Sequence, residues 1–211
     1  MKKIPTLFER RYENSKVVEV TDKITEGCEE AFLHGVATIK VDGACCAIID
    51  GKLYKRYDAK TGKPIPENAI KCQDEPDPIT GHWPCWVPCN SDNPSDKWFI
   101  KAYDNLKKER DEIEKALGRP LHQISNCTYE AIGPHFQGNP YGLEFDELYR
   151  HGSHRIAYMA RTYDGVKEWL ETHKEEGLVF WLNDEPVCKI KRSDFGLPWP
   201  DKERRYTFTS R

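Results

Sequence analysis

At 211 residues, the chain is long enough to form one domain that buries about 70% of the surface of its unfolded state. Its formal net charge of −3 excludes the strongly basic class of nucleic-acid-binding domains, which have a pI above about 9, so any attraction for a polyanion must be local. No apolar run approaches the length of a membrane span and residues 1–5 lack a signal peptide's apolar segment, so we expect a cytoplasmic protein whose 8 cysteines are reduced thiols.

The N-terminal part of the chain predicts short strands joined by turns. Residues 1–35 are too few for a separate domain, so we expect them to pack on the core as an N-terminal segment. Apolar runs separated by Asp42-Gly43 and Asp50-Gly51 predict a three-stranded meander over 36–41, 44–49 and 52–57. The first turn of this meander would present Lys40 at the end of its strand.

The segment 71–97 is rich in Pro, Gly, Asp and Asn and is predicted to be a loop insertion. It is longer than the ~12 to 15 residues usual for a structureless loop, so we expect it to have a role. One hypothesis is zinc binding by Cys72, His82, Cys85 and Cys89, although their spacing matches no common zinc finger. Another is an aromatic and basic surface for unpaired bases, made of Trp83, Trp86, Trp98, His82 and Lys97. The favoured interpretation is a small satellite core beneath the loop.

The rest of the chain alternates helical and strand patterns. Apolar residues from Trp98 to Leu117 recur at helical spacing, and this helix is expected to end at Gly118. Asp164 is expected to cap a second helix that runs to about His173. Short apolar runs predict strands over 127–132, 155–162, 178–182 and 186–191, the last two joined as a hairpin through Asn183-Asp184.

Charged side chains at the strand ends predict a site for phosphate chemistry. Lys40 stands two residues before Asp42, and Glu176 precedes the strand pair that carries Lys189 and Lys191. Because side chains alternate along a strand, these two lysines share a face and can hold a phosphate. A lysine becomes a nucleophile only as the neutral amine, and nearby cations lower the pKa of a third lysine across the cleft. Asp42 and Glu176 offer the hard oxygen ligands that Mg²⁺ prefers.

This ordered set of motifs resembles the covalent nucleotidyltransferase superfamily, which comprises ATP-dependent DNA and RNA ligases and messenger-RNA capping enzymes. The resemblance extends from about Val36 to Phe195. It implies an α+β fold in which two mainly antiparallel sheets, flanked by helices, enclose a nucleotide cleft. The expected organisation is therefore a nucleotidyltransferase domain over 36–195, preceded by the segment 1–35 and followed by a C-terminal tail over 196–211.

The resemblance also implies a role for each matching residue. Lys40 is similar to the lysine that becomes nucleotidylated, and Asp42 and Glu176 to the acids associated with the metal. Arg56 resembles the arginine that contacts the nucleotide sugar, and Glu130 the acid that holds the ribose hydroxyls. Lys189 and Lys191 match the paired lysines of the fifth motif. Two family features have no clear match: Thr38 stands where many DNA ligases carry an acid, and Tyr158 is offered for the base-stacking aromatic without supporting sequence context.

The predicted activity is ATP-dependent RNA ligation. Only twenty residues follow Lys191, too few for the oligonucleotide-binding barrel that continues most DNA ligases and capping enzymes, so none is expected. The segment Lys40–Cys46 resembles the Lys-Val-Asp-Gly-x-Cys-Cys signature of small RNA ligases. That resemblance implies ATP with Mg²⁺, or Mn²⁺ in its place, a lysyl-AMP intermediate, and an RNA repair substrate with a 5′-phosphate and a 3′-hydroxyl. Neither a membrane nor an obligate protein partner is expected.

Three other functions fit the same motifs. A capping-type guanylyltransferase would use GTP, and a minimal DNA ligase would seal nicked duplex DNA in preference to RNA. A degenerate module that binds RNA or nucleotide would form no covalent adduct. For RNA binding, basic residues outside the motifs are expected to gather on one side of the domain, with a solvated surface as the alternative; these are Lys55, Lys60, Lys63, Arg192, Lys202, Arg204, Arg205 and Arg211.

Overall fold

The computed structural model describes residues 1–14 and 16–199. Lys202, Arg204, Arg205 and Arg211, together with the end of the predicted C-terminal tail, lie outside the described residues. Contacts divide the described chain into two compact units. Unit 1 contains Met1–Lys3 and Asp42–His151, and unit 2 contains Ile4–Val41 and the residues from 152 to 199.

The described chain has the predicted α+β class, because its sheets are antiparallel and its few helices stand between runs of strands. In chain order the strands are β1 (Phe8–Glu13), β2 (Lys16–Ile24), β3 (Val36–Lys40), β4 (Ala44–Ile49), β5 (Lys52–Ala59), β6 (Ile70–Lys71), β7 (Trp83–Pro88), β8 (Thr128–Ile132), β9 (Glu147–Arg150), β10 (Gly177–Leu182) and β11 (Glu185–Lys191). The helices are α1 (Glu29–His34), α2 (Lys97–Leu117) and α3 (Tyr163–Thr172), with short 3₁₀ turns at Pro94–Asp96 and Arg192–Phe195. No helix among these is both long and apolar enough to cross a membrane.

Unit 1 is built on a six-stranded antiparallel sheet in the order β6-β7-β5-β4-β8-β9. Its core contains Ile48, Leu53, Tyr129 and Leu148 from the sheet and Ala102 from α2. The helix ends where the sequence predicts, because Gly118 takes the left-handed conformation with φ 64° that glycine adopts without steric cost.

Unit 2 contains a three-stranded antiparallel sheet in the order β11-β10-β3 and a hairpin formed by β1 and β2. Phe180, Leu178 and Ile190 of this sheet pack in one core with Phe32 of α1 and Leu170 of α3. The N-terminal segment extends the sheet beyond β11. The Leu7 N–H donates to the Lys189 carbonyl at 2.7 Å, and the Lys189 N–H donates to the Pro5 carbonyl at 3.0 Å.

The predicted three-stranded meander is wrong. Strands β4 and β5 pair as expected, but β3 belongs to the other sheet, where it pairs with β10. A two-residue hairpin turn needs a positive φ at one or both of its central residues. Asp50 (50°) and Gly51 (72°) meet this requirement, as do Asn183 (51°) and Asp184 (62°) in the β10–β11 hairpin. Neither residue of Asp42-Gly43 has a positive φ, so this dipeptide leads the chain out of one sheet and into the next.

Two predictions between β9 and β10 are also corrected. The strand expected over 155–162 is reduced to a single bridge between Arg155 and Thr38, flanked by two backbone hydrogen bonds to β3. Helix α3 is capped by Thr162 rather than Asp164. The Thr162 backbone is extended and its hydroxyl accepts from the Gly165 N–H, so it satisfies a free donor of the first turn, and Asp164 lies one position inside that turn.

The segment 71–97 is not a single loop, because Trp83–Pro88 forms β7 beside β5. Its sequence holds two prolines, which argue against an interior strand. The outer edge of β7 pairs with only the two residues of β6, Ile70 and Lys71. Few ladder hydrogen bonds are therefore lost at Pro84 and Pro88.

Candidate active site

Strand pairing in unit 2 brings three lysines together around one glutamate. In the register of the sheet, Gly177 of β10 lies opposite Lys40 of β3 on one side and opposite Lys191 of β11 on the other. Lys189 lies opposite Val179, two residues further along β10. We call Lys40, Glu176, Lys189 and Lys191 the amine cluster. The predicted alternation along β11 is confirmed, because Cys188 and Ile190 are fully buried in the core.

Glu176 joins two of the lysines. It is only 5% exposed, and one carboxylate oxygen, Oε2, accepts a hydrogen bond from the Lys40 ammonium. The other oxygen, Oε1, lies 2.7 Å from the Lys191 Nζ. Gly177 keeps the strands close at this level, because a Cβ there would collide with the Ile190 carbonyl and lie 3.0 Å from the Lys191 Cα. A glycine is therefore required between the two lysine-bearing strands.

The crowding of ammonium groups acts on Lys189. Burial, followed by the charges of Lys40 and Lys191, lowers the pKa of Lys189 to about 8, while Glu176 opposes this effect. The sequence predicted that paired lysines would lower the pKa of the nucleophile. The structure locates this effect at Lys189, whereas Lys40 is ion-paired with Glu176. The cluster therefore contains an amine that changes charge near neutral pH.

This lowered pKa predicts a pH-dependent stability. In the folded protein Lys189 loses its proton near pH 8, and in the unfolded chain near 10.5. Between these values the unfolded state binds more protons, so stability rises with pH, and below about pH 8 the group contributes no slope. Between these two pH values the unfolding free energy of the wild type should therefore rise by roughly 1 to 3 kcal/mol. Lys189→Met should lack this rise, so the wild-type minus variant difference in urea unfolding free energy should grow with pH. Lys101→Met, at an exposed position of α2, is the control; a flat difference for Lys189→Met would contradict the assignment.

Arg56, predicted to contact the nucleotide sugar, lies on β5 in unit 1 and is held by its neighbours. Its Nε donates to the Asp58 carboxylate at 2.7 Å, and a terminal nitrogen donates to the Met1 carbonyl at 2.7 Å. Its guanidinium lies 5.8 Å from the ring centroid of Trp86 on the paired strand β7. The side chain is thus fixed in direction before it meets any ligand.

Glu130, predicted to hold the ribose hydroxyls, lies on β8 in the same unit. Its Oε2 is 2.8 Å from the Nε2 of His151, whose Nδ1 is 2.9 Å from the Thr128 hydroxyl. Cys45 lies directly opposite Glu130 on β4. Burial, and then the negative charge of Glu130, raise the pKa of the Cys45 thiol to about 12. Sequence analysis did not single out His151, because no motif links it to Glu130 twenty-one positions away.

Asp42 begins unit 1, and the residues around it are held by a turn far along the chain. The Asp42 N–H donates to the Tyr141 hydroxyl, and the Gln137 side chain donates to the Gly43 carbonyl at 3.2 Å. Gly43 has no room for a side chain, because a Cβ would lie 2.8 Å from the Glu130 Cγ. The turn over residues 136–141 therefore supports the backbone of the Lys40-Val41-Asp42-Gly43 motif. Tyr141 carries no recognisable signal of this role in the sequence.

Neither of the two hypotheses for the segment 71–97 is supported by the contacts of its described residues. Among the described residues, the potential metal donors that converge are Cys45, Glu130 and His151, and no three of the residues proposed for zinc within 72–89 do so. The indoles proposed to stack bases are already covered by the protein's own groups. Lys71 lies 3.7 Å from the Trp83 ring, Trp86 is 5% exposed, and Trp98 stacks on His135 at 3.2 Å. These contacts agree with the favoured satellite core.

Two further predictions concern the cysteines and Tyr158. All eight cysteines are free, as expected for reduced thiols. Tyr158, proposed as a base-stacking aromatic, is 86% exposed in unit 2.

Comparison with known proteins places this chain in a family. Residues 63–209 match the model of the family described as RNA ligase 1. The protein named RNA ligase 1 from Rattus norvegicus is 26% identical to the chain, in an alignment that covers 90% of the chain and 76% of the relative. The protein of the same name from Danio rerio is 28% identical, over 87% of the chain and 74% of the relative. Since the family model spans more than half of the chain, this protein belongs to the RNA ligase 1 family.

Proposed function

We propose that the chain is an ATP-dependent RNA ligase that forms a lysyl-AMP intermediate on Lys40. The observation that carries the proposal is the amine cluster, in which Lys40 and Lys191 pair with the Glu176 carboxylate and their charges act on the nearby Lys189. The name of the relatives, RNA ligase 1, supports RNA as the substrate. In this proposal the two antiparallel sheets and their helices form a nucleotidyltransferase fold.

The cluster suits nucleotidyl transfer because that reaction depends on positioning and charge neutralisation. The neutral Lys40 amine would attack the α-phosphate of ATP. An N–P bond forms, the bond to the pyrophosphate oxygen breaks, and the amine gives up a proton. Before the attack, the Lys40 ammonium must also release the proton that it shares with Glu176. Lys189 and Lys191 would bind the α-phosphate oxygens, since a nearby ammonium group stabilises the negative charge that shifts during transfer.

By the chemistry of their side chains, Glu176 and Asp42 would hold a magnesium ion. Glu176 and Asp42 supply carboxylate oxygens, the hard ligands that Mg²⁺ prefers, and both oxygens of Glu176 already face cations in the cluster. When bound, Mg²⁺ or Mn²⁺ would supply positive charge that neutralises the triphosphate. Glu176 would then serve cations in two ways, as a metal ligand and as the acceptor that orients Lys40 and Lys191.

Arg56 and Glu130 keep the sugar-binding roles that the resemblance implies. Asp58 and His151 would hold these two side chains in direction, since each donates or accepts one of the hydrogen bonds described above. After AMP transfer to an RNA 5′-phosphate, a 3′-hydroxyl would attack the activated end and release AMP. RNA repair in the cytoplasm is the proposed setting, and neither a membrane nor an obligate protein partner is part of the proposal.

The direct test is to incubate the purified protein with labelled ATP or GTP and Mg²⁺ and to map the adduct by mass spectrometry. We expect AMP on Lys40. Labelling by GTP alone would indicate a guanylyltransferase, and the absence of any adduct would indicate a binding module. A ligation assay then compares 5′-phosphorylated RNA with nicked duplex DNA. Faster sealing of DNA would overturn the assignment of RNA as substrate.

Lys191→Ala provides a quantitative test of the phosphate-binding role. The side chain is 36% exposed near the end of β11, so its removal should leave the fold intact. Loss of a positioned cation is expected to slow nucleotidylation by about 10² to 10³-fold, measured in single-turnover reactions at saturating ATP. Lys101→Ala on α2 is the matched control. An unchanged rate for Lys191→Ala would remove this residue from the phosphate site.

A further inference from the structure

A second group of potential ligands lies in unit 1. The side chains of Cys45, Glu130 and His151 offer one thiol sulphur, one carboxylate oxygen and one imidazole nitrogen, and these atoms lie within 4.8 Å of one another. All three residues are half-buried. We call them the Cys-Glu-His triad. The function proposed above uses Glu130 to hold the sugar and His151 to orient Glu130, but it gives no role to Cys45, so the convergence of all three donors requires its own explanation.

The sheet itself creates the triad. Cys45 of β4 lies directly opposite Glu130 of β8, and Glu130 lies opposite Tyr149 of β9. His151 is two residues beyond Tyr149 and points to the same face, because side chains alternate along a strand. The His151 N–H donates to the Thr128 carbonyl and so continues the pairing past the end of β9. Neighbouring strands therefore place the donors on one face of the sheet, with His151 two residues along the sheet from the level of Cys45 and Glu130.

The distances match a small coordination sphere. Around a tetrahedral zinc ion, a nitrogen or oxygen at about 2.0 Å and a sulphur at about 2.3 Å are separated from one another by about 3.3 to 3.6 Å. The 4.8 Å limit of the triad includes this range. The contact between His151 Nε2 and Glu130 Oε2 is 2.8 Å, so these two atoms would separate by about 0.5 Å to admit the ion.

The environment of His151 supports ligation. A metal-bound histidine commonly donates its other ring N–H to an oxygen, which fixes the tautomer. The second nitrogen of His151, Nδ1, lies 2.9 Å from the Thr128 hydroxyl. Thr128 can accept this hydrogen bond when Nε2 is the ligand and can donate it when Nε2 carries the proton. The ring can therefore change tautomer and keep its hydrogen bond to Thr128, while the metal replaces the Nε2 hydrogen bond to Glu130.

We propose that the Cys-Glu-His triad binds a zinc ion through three protein ligands and leaves a fourth position open. A thiolate and an imidazole favour Zn²⁺ over Mg²⁺, which prefers oxygen ligands. The thiolate and carboxylate carry two negative charges, which the ion neutralises. On binding, the Cys45 S–H bond breaks and its proton goes to solvent while the S–Zn bond forms, and the His151 proton moves from Nε2 to Nδ1.

Zinc in the triad would engage the carboxylate that is proposed to hold the ribose. Nucleotide and zinc would then compete, and zinc would inhibit nucleotidylation. This consequence rests on the proposed function, whereas binding of the ion by the triad does not. The two ideas are therefore tested by separate measurements.

The binding test uses the full chain and cobalt as a spectroscopic substitute for zinc. We expect one Co²⁺ per chain, with a thiolate-to-cobalt charge-transfer band that Zn²⁺ abolishes by displacement. Cys45→Ser should remove the band and weaken zinc binding by about tenfold or more in calorimetric titrations. Even the loss of a group that only hydrogen-bonds a metal ligand costs about tenfold in affinity, and Cys45 is proposed as a ligand itself. His151→Gln should weaken binding to a similar extent. Cys89→Ser, another half-buried thiol of unit 1, should behave like the wild type.

Each result decides the proposal. Absence of stoichiometric binding by the wild type would overturn it, as would binding that survives both Cys45→Ser and His151→Gln. Circular dichroism identifies any variant that does not fold. X-ray absorption of the zinc-loaded wild type, which needs no variant, must show a shell with one sulphur and lighter ligands. If the triad binds zinc but no nucleotide adduct forms, the metal site stands and the proposed ligase activity fails. If the adduct forms without zinc binding, the reverse holds.

Discussion

Lys40→Ala is expected to abolish the covalent AMP adduct. No other group can form the same bond at this position, and a nucleophile that forms an intermediate has no partial substitute. The measurement is intact-protein mass spectrometry after incubation with ATP and Mg²⁺, followed by peptide mapping. Ligation of 5′-phosphorylated RNA should be lost with the adduct. RNA that already carries a 5′-adenylate bypasses the first step, so the variant should retain measurable sealing of that substrate.

The sharpest competing outcome is an adduct on Lys189. This amine belongs to the same cluster, and burial together with the charges of Lys40 and Lys191 lowers its pKa to about 8. A substantial fraction of it is therefore neutral at mildly alkaline pH. Peptide mapping separates the two sites. AMP on Lys189 in the wild-type protein, or an undiminished adduct in Lys40→Ala, would contradict the proposed mechanism, and Lys40→Arg controls for loss of the charge that Glu176 pairs.

Glu176→Ala is expected to reduce nucleotidylation by about 100-fold or more and to change its dependence on Mg²⁺. The substitution removes the acceptor for both Lys40 and Lys191 and one proposed metal ligand at once. Glu176→Gln keeps the size of the side chain and one acceptor oxygen but loses the charge, so it separates orientation from metal binding. The measurement is the single-turnover rate as a function of Mg²⁺ concentration for both variants.

Exposed Glu185 at the start of β11 offers a matched control, because Glu185→Gln removes a carboxylate from the same hairpin outside the cluster. Its rate and metal dependence should equal those of the wild type. Thermal unfolding checks that Glu176→Ala still folds. An unaltered Mg²⁺ dependence in both Glu176 variants would remove this residue from the metal site, even if the overall rate fell.

Much of the local structure follows from the sequence. The Asp50-Gly51 and Asn183-Asp184 turns, helix α2 with its end at Gly118, and the alternation along β11 are all confirmed, because each depends on backbone preferences or periodicity over a few residues. The partner of β3 could not be predicted in this way. Its pairing with β10 joins positions about 140 residues apart, and an apolar run indicates a strand without specifying its neighbour. The meander failed for that reason.

For the candidate site, too, sequence predicted some features and only the tertiary structure decided others. Residue type and order were enough to single out Lys40, Glu176, Lys189 and Lys191, since phosphate chemistry needs amines and carboxylates and these stand at recognisable motif positions. Tertiary structure alone decided which groups touch: Glu176 binds Lys40 and Lys191, the lowered pKa belongs to Lys189, and His151 meets Glu130 and Cys45. The reason is physical. Chemistry is a property of the side chain, whereas distance, burial and charge crowding arise only when remote strands pair.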